Sequence, residues 1–123
     1  MIPREKFITV ERDTNAQMAA RIMRDRGIGS LFVTNGKEII GILTDTDMVR
    51  RVVATGADTQ KTTVEQVMSA PILTIDENKT LLDANDLMAK THIRHLGVTQ
   101  DGKLAGMISV RDLVLFLTNL PRK

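Results

Sequence analysis

The 123-residue chain has no cysteine, no tryptophan and no tyrosine, and only three phenylalanines. Without cysteine there is no disulfide framework and no thiolate metal site. The scarcity of rings argues against a surface that stacks nucleic-acid bases. An excess of one charge is missing too. The formal net charge is only +2 and acids and bases are interspersed, so no basic patch marks the chain for nucleic acid. No apolar run approaches the ~20 residues that span a bilayer, and no signal-peptide core follows Met1-Ile2-Pro3-Arg4-Glu5-Lys6. A cytoplasmic protein with no membrane partner, and nucleic acid an improbable one, is the expectation.

What is present is a repeat. Displaced by 65 positions, the chain aligns with itself without a gap: Thr9 meets Thr74, Ala19 meets Ala84, Met23 meets Met88, Ile28 meets Ile93, Leu31 meets Leu96, Val33 meets Val98, Gly41 meets Gly106 and Asp47 meets Asp112. Each copy alone is of a size that leaves a marginal core. One globular module of two dependent halves is therefore expected, each copy covering the other's apolar face. Hydrophobic residues make up 42% and charged residues 26%, and seven methionines take over part of the core filling.

Within a copy the order reads strand, helix, strand, strand, helix. Ile8-Thr9-Val10 is a short strand. Asp13, Thr14 and Asn15 start a helix in which Ala16, Ala19, Ala20 and Met23 recur at helical spacing. Gly27-Ile28-Gly29 ends it and opens the strand Leu31–Thr34. Asn35-Gly36 is the expected hairpin turn, both positions needing positive φ, and Asp101-Gly102 supplies the turn of the second copy. A second helix from about Asp45 carries Met48, Val49, Val52 and Val53 on one face. The boundaries are residues 1–56 for the first repeat, 57–71 for a polar connection and lead-in helix (Val64–Met68), and 72–123 for the second repeat. The last helix is apolar on every face, with Leu115 and Phe116 where the first copy has Arg50 and Arg51. Such a helix must be covered on all sides, which predicts a homodimer that buries Leu115 and Phe116.

Each copy closes its last strand with a hydroxyl, two spacers and a carboxylate: Thr44-Asp45-Thr46-Asp47 after Gly41-Ile42-Leu43, and Ser109-Val110-Arg111-Asp112 after Gly106-Met107-Ile108. One reading is a capping box, which the spacing alone favours. The other adds a ligand, with the carboxylate accepting both hydroxyls of a ribose and the helix start holding phosphate. Recurrence in both copies does not decide between them.

The combined pattern, from Phe7 to Leu120, resembles a tandem pair of CBS domains (a Bateman module). The lead-in Val64-Glu65-Gln66-Val67-Met68-Ser69 and the strand entry Ile93-Arg94-His95-Leu96-Gly97-Val98 share the resemblance. Phe32 and Gly97 depart from it where the family usually has proline. The resemblance implies an α+β fold, two pseudo-symmetric β-α-β-β-α repeats packed sheet to sheet. It also implies an adenosine-containing ligand in the cleft between repeats: AMP, ADP, ATP, S-adenosylmethionine or, less often, a dinucleotide. By resemblance, Asp112 and Asp47 hold ribose hydroxyls, and Ser109 and Thr44 sit near ribose or phosphate. Backbone at Ile93-Arg94 and at Ile28-Gly29 reads the adenine edge, Ile72 and Phe7 cover its face, and Ser69 stands where many members touch ligand.

The two implied sites differ in charge. Site two (Ser69, Ile72, Ile93, Arg94, His95, Ser109, Arg111, Asp112) gathers groups that suit phosphate oxygens. Site one (Phe7, Ile28, Gly29, Thr44, Asp47) has Gly29, Ser30 and Thr46 at the matching positions and is poorer in cations. The plainer alternative leaves Arg94 and Arg111 as solvated surface charges and both histidines as ordinary strand-edge residues, the preferred reading for His92. Two histidines and no nucleophile–base spacing give little basis for an enzyme or a metal site. No cofactor is called for, although the aspartates suit Mg²⁺ carried on a nucleotide. The expected function is a stand-alone adenine-nucleotide sensor that signals to an unidentified regulated protein. The alternative is a constitutive dimerisation or scaffold module with vestigial sites.

Overall fold

The computed structural model describes residues 1–119; the end of the second predicted repeat, 120–123, lies outside them. The chain forms two compact units, each with its own sheet, one of them inserted in the sequence of the other. One is Phe7–Ile72, and the other joins Met1–Lys6 to the chain from Leu73 onward.

In the unit Phe7–Ile72, the strands β2 (Thr9–Glu11), β3 (Ser30–Asn35) and β4 (Glu38–Thr44) form one sheet in that order, β2 parallel and β4 antiparallel to β3. Helix α1 (Ala16–Arg26) makes the crossover. It starts because Asn15 is extended and its side-chain oxygen accepts the Met18 N–H at 2.8 Å. It stops because Gly27 turns left-handed, φ 62°, and gives its N–H back to Arg24 and Met23. Ala16, Ala19 and Met23 face inward and pack with Val10, Leu31, Val33 and Leu43. Burying each large aliphatic side chain contributes roughly 1.5–3 kcal/mol.

The segment read from sequence as a polar connection folds into this unit. The Ala16 and Gln17 N–H groups donate to the Thr62 and Thr59 carbonyls, and those of Val64 and Glu65 to the Thr14 and Arg12 carbonyls. Helix α3 (Val64–Val67) then sinks Val64 and Val67 into the core. The last helix of the unit begins as α2 (Asp45–Asp47) and continues as a π-helical turn over Met48–Val53. That winding corrects the sequence expectation of one apolar face. Val52 is buried, whereas Val49 and Val53 are 61% and 73% exposed, because i→i+5 bonding moves the face away from the α-helical period.

The other unit repeats the plan with β1 (Ile2–Pro3), β5 (Thr74–Asp76), α4 (Leu81–Thr91), β6 (His95–Gln100), β7 (Lys103–Ser109) and α5 (Val110–Thr118), its sheet ordered β1-β7-β6-β5. Ala84, Met88, Leu96, Val98, Ile108 and Leu113 form its core. The added strand β1 pairs antiparallel with β7, Ile2 opposite Met107 and Pro3 opposite Gly106. Of α5, only Leu113 is buried; Val114, Leu115, Phe116 and Leu117 are exposed.

The two hairpins differ. In the second copy Gln100 pairs with Lys103, and Asp101 and Gly102 both have positive φ, as expected. In the first copy Asn35 still belongs to β3 and pairs with Glu38, so the turn is Gly36-Lys37 and only Gly36 has positive φ. Register overrides the Asn-Gly signal: the Glu11 carboxylate on β2 accepts the Thr34 hydroxyl and the Gly36 N–H, pinning the strand one residue further.

Candidate functional site

Both carboxylate motifs stand where a sheet strand runs into a helix. Their capping boxes are complete. Thr44 Oγ1 accepts the Asp47 N–H at 3.2 Å while Asp47 Oδ2 accepts the Thr44 N–H at 3.0 Å. Ser109 Oγ accepts the Asp112 N–H at 3.2 Å while Asp112 Oδ2 accepts the Ser109 N–H at 2.9 Å. The box uses one oxygen of each aspartate, and the second oxygen is where the copies diverge.

Asp47 is 6% exposed. Its Oδ1 accepts the Ser69 hydroxyl at 2.8 Å and lies 3.9 Å from Arg51 Nε. Asp112 is half-buried, and among the described residues its hydrogen bonds are those of the box. The positions one repeat from Ser69 and Arg51 are Arg4 and Phe116. Arg4 reaches the Leu104 carbonyl at 3.1 Å, and Phe116 is half exposed.

The residues expected to read an adenine edge sit beside the boxes. The Gly29 carbonyl accepts the Asp45 N–H at 2.9 Å, and the Arg94 carbonyl accepts the Val110 N–H at 3.0 Å, so each pair ties a strand entry to a helix start. The Ile28 and Ile93 N–H groups donate to the Met23 and Met88 carbonyls. His95 is paired with Ser109 across β6 and β7. The fold therefore brings Ile93, Arg94, His95, Ser109, Arg111 and Asp112 to one end of one sheet, and Ile28, Gly29, Thr44 and Asp47 to the corresponding end of the other. Ser69 and Ile72, grouped by sequence with Arg94, belong to the unit Phe7–Ile72, and the Ser69 hydroxyl is spent on Asp47.

Phe7 stacks on Phe32, ring centroids 3.9 Å apart and 16° from parallel. Phe32 is fully buried and Phe7 half-buried. The equivalent pair in the second copy is Ile72 and Gly97, so this platform exists once. Phe32 as the backing of Phe7, and Arg51 as a partner of Asp47, escaped the sequence reading. The i,i+4 spacing of Asp47 and Arg51 was the available signal for the second.

His92 is not a strand-edge residue. It caps α4 with φ 58° and ψ 34°, at the position that Gly27 occupies in the first copy. Among the described residues no group of three or more His, Asp or Glu side chains could hold a metal, and no helix is long and apolar enough to cross a membrane.

The two repeats match the CBS domain at residues 1–54 and 64–119. The chain belongs to the CBS-domain family and carries the domain twice. It is similar to a Methanopyrus kandleri protein, with 35% identity over 115 residues that cover 92% of this chain and 59% of the relative; it thus spans about three fifths of that relative's length. Its fold is similar to that of a signal-transduction protein with CBS domains from Burkholderia ambifaria, with a TM-score of 0.86 and 32% identity over 96% of this chain and 88% of that one. A hexameric CBS-CP12 protein from bloom-forming cyanobacteria is similar at a TM-score of 0.78 and 26% identity, over 99% and 76% of the two chains. CBS-domain proteins are typically regulatory rather than catalytic.

Proposed function

We propose that this CBS pair is a regulatory module that senses adenosine-containing ligands, AMP, ADP, ATP or S-adenosylmethionine, and passes their presence to a protein partner. The observation that carries the reading is Asp112. Its carboxylate is fixed by the Ser109 N–H and leaves one oxygen outside the capping box, at the end of β7 where Arg94 and His95 enter the same sheet. A fixed carboxylate at the same sheet end as the Arg94 guanidinium and the His95 imidazole suits a ribose with phosphates attached. Only a ligand with unequal affinity for two states of the module can switch it.

Thermal unfolding of ligand-stripped protein against these four compounds tests the reading. Ligand at 100 times its dissociation constant adds about 2.7 kcal/mol and raises the midpoint by several degrees. A selective rise that Asp112→Ala abolishes supports the sensor; indifference to all four at millimolar concentration overturns it in favour of a scaffold with vestigial sites.

Self-association through α5 is the second part of the proposal. Val114, Leu115, Phe116 and Leu117 are each about half exposed or more, an apolar surface of the kind that marks an interface. Light scattering at micromolar concentration should give a dimer or a larger assembly, and Phe116→Glu should reduce it to monomer. A monomeric wild type would remove this part.

A further inference from the structure

The Ser69 hydroxyl occupies the carboxylate that a ribose on the first copy would need. It is held there from both sides. The Ser69 N–H donates to the Ile42 carbonyl at 2.8 Å and the Ser69 carbonyl accepts the Ile42 N–H at 3.0 Å, so its backbone is clamped to the edge of β4. Arg51 donates to the Met68 carbonyl at 2.7 Å and to that of Val67 at 3.3 Å, fixing the preceding residues while its Nε faces Asp47. Nothing equivalent among the described residues stands on Asp112.

We propose that Ser69 is a built-in competitor for Asp47 and a specificity-determining residue of the module. The first copy accepts a nucleoside only if its ribose hydroxyls displace the serine hydroxyl, and the second copy fills first. The inference rests on the reading of the two aspartates as ribose contacts. Its chemistry is an exchange of donors. A ribose hydroxyl arriving at Asp47 replaces a hydrogen bond to a charged group that already exists, whereas one arriving at Asp112 makes a new one. A bond of that kind corresponds to about ten- to hundred-fold in affinity. A 2′-deoxy analogue forgoes a new bond at Asp112 but only an exchange of bonds at Asp47, so the first copy discriminates less sharply than the second against the loss of a ribose hydroxyl.

Titration calorimetry on the full chain, with AMP, ATP and S-adenosylmethionine in turn, separates the cases. For whichever compound binds, wild type should show one strong event per chain. Asp112→Ala should leave only weak binding. Adding Ser69→Ala to Asp112→Ala should tighten that remainder about ten- to hundred-fold. Adding Ser69→Thr instead, which keeps the hydroxyl, should not. Thermal melts confirm that each variant is folded. If the Ser69→Ala double variant is folded and binds no better than Asp112→Ala, or if wild type shows two equal events, the competitor is refuted while the Asp112-dependent event survives. If no compound binds wild type, the ribose reading falls and the competitor falls with it.

Discussion

Gly27 and His92 stand 65 positions apart and hold the same left-handed helix cap, at φ 62°, ψ 39° and φ 58°, ψ 34°. Glycine adopts this conformation without penalty, whereas an L-residue with a Cβ is disfavoured by roughly 1–2 kcal/mol. His92 is exposed, so little packing offsets the cost. His92→Gly is expected to stabilise the unit containing α4 by about 1 kcal/mol, and Gly27→Ala to destabilise its own by a similar amount. Urea denaturation of both variants checks the pair; a His92→Gly variant less stable than wild type would contradict the strain argument.

Asp47 and Asp112 should differ in what they do for stability. Asp47→Ala removes charge-assisted bonds from the Thr44 N–H and the Ser69 hydroxyl and strips Arg51 of its facing charge. The expected loss is about 2–4 kcal/mol. Asp112→Ala removes one capping bond from a half-buried carboxylate and should cost about 1 kcal/mol. Equal losses in denaturant titrations would mean that the Ser69–Arg51 contacts are energetically idle.

Two strand glycines admit a crossing chain. A Cβ on Gly106 would stand 2.8 Å from both the Ile2 carbonyl oxygen and Met1 Sδ, and one on Gly41 would stand 2.9 Å from the Ser69 carbonyl oxygen and 2.5 Å from Met68 Sδ. Backbone cannot yield as a flexible side chain can, so Gly41→Ala and Gly106→Ala should each cost about 1–3 kcal/mol. In Gly106→Ala the loss should be local. Amide exchange at Met107, opposite Ile2 in the β1–β7 pair, should accelerate while exchange in α1 stays at wild-type rates.

Acid should reach α4 before α1. The Asp83 carboxyl is held below its ordinary 3.8 chiefly by the Thr80 N–H and then by the Thr80 hydroxyl. Its folded value lies below its unfolded one, so its contribution to the cap is complete above the ordinary value and is lost as pH falls through the folded value. The matching residue in the first copy is Met18, and α1 is capped by the neutral Asn15. Hydrogen exchange followed downward from pH 5 should show α4 amides losing protection first, and Asp83→Asn should flatten that dependence.

The repeat, the caps and the core were legible in the sequence because each rests on local chemistry. Asn15 and Gly27 bracket α1, and Leu31, Val33, Leu96 and Val98 alternate inward as a period of two requires. What escaped depends on residues far apart in the chain. The first hairpin turns at Gly36-Lys37 because Glu11 grips Thr34 and Gly36, a partnership invisible at the Asn-Gly dipeptide. Val49 and Val53 emerge into solvent because the helix there is wound wider than the period used to read it. The candidate site shows the same division. The paired Ser/Thr–Asp boxes were readable from spacing, whereas the hydroxyl on Asp47 comes from 22 positions away.

The pairing of Ile2 and Pro3 with Met107 and Gly106 sets an order of events during synthesis. Residues Phe7–Ile72 can close among themselves once Ile72 has left the ribosome. Met1–Lys6 must wait until β7 is made before Ile2 and Pro3 find their strand partner. Pairing β1 with β7 is thus a long-range closure across the whole of Phe7–Ile72 and most of the second repeat, the kind of contact that forms slowly. An arrest of translation before Lys103 would leave Ile2 and Pro3 without the strand they pair with.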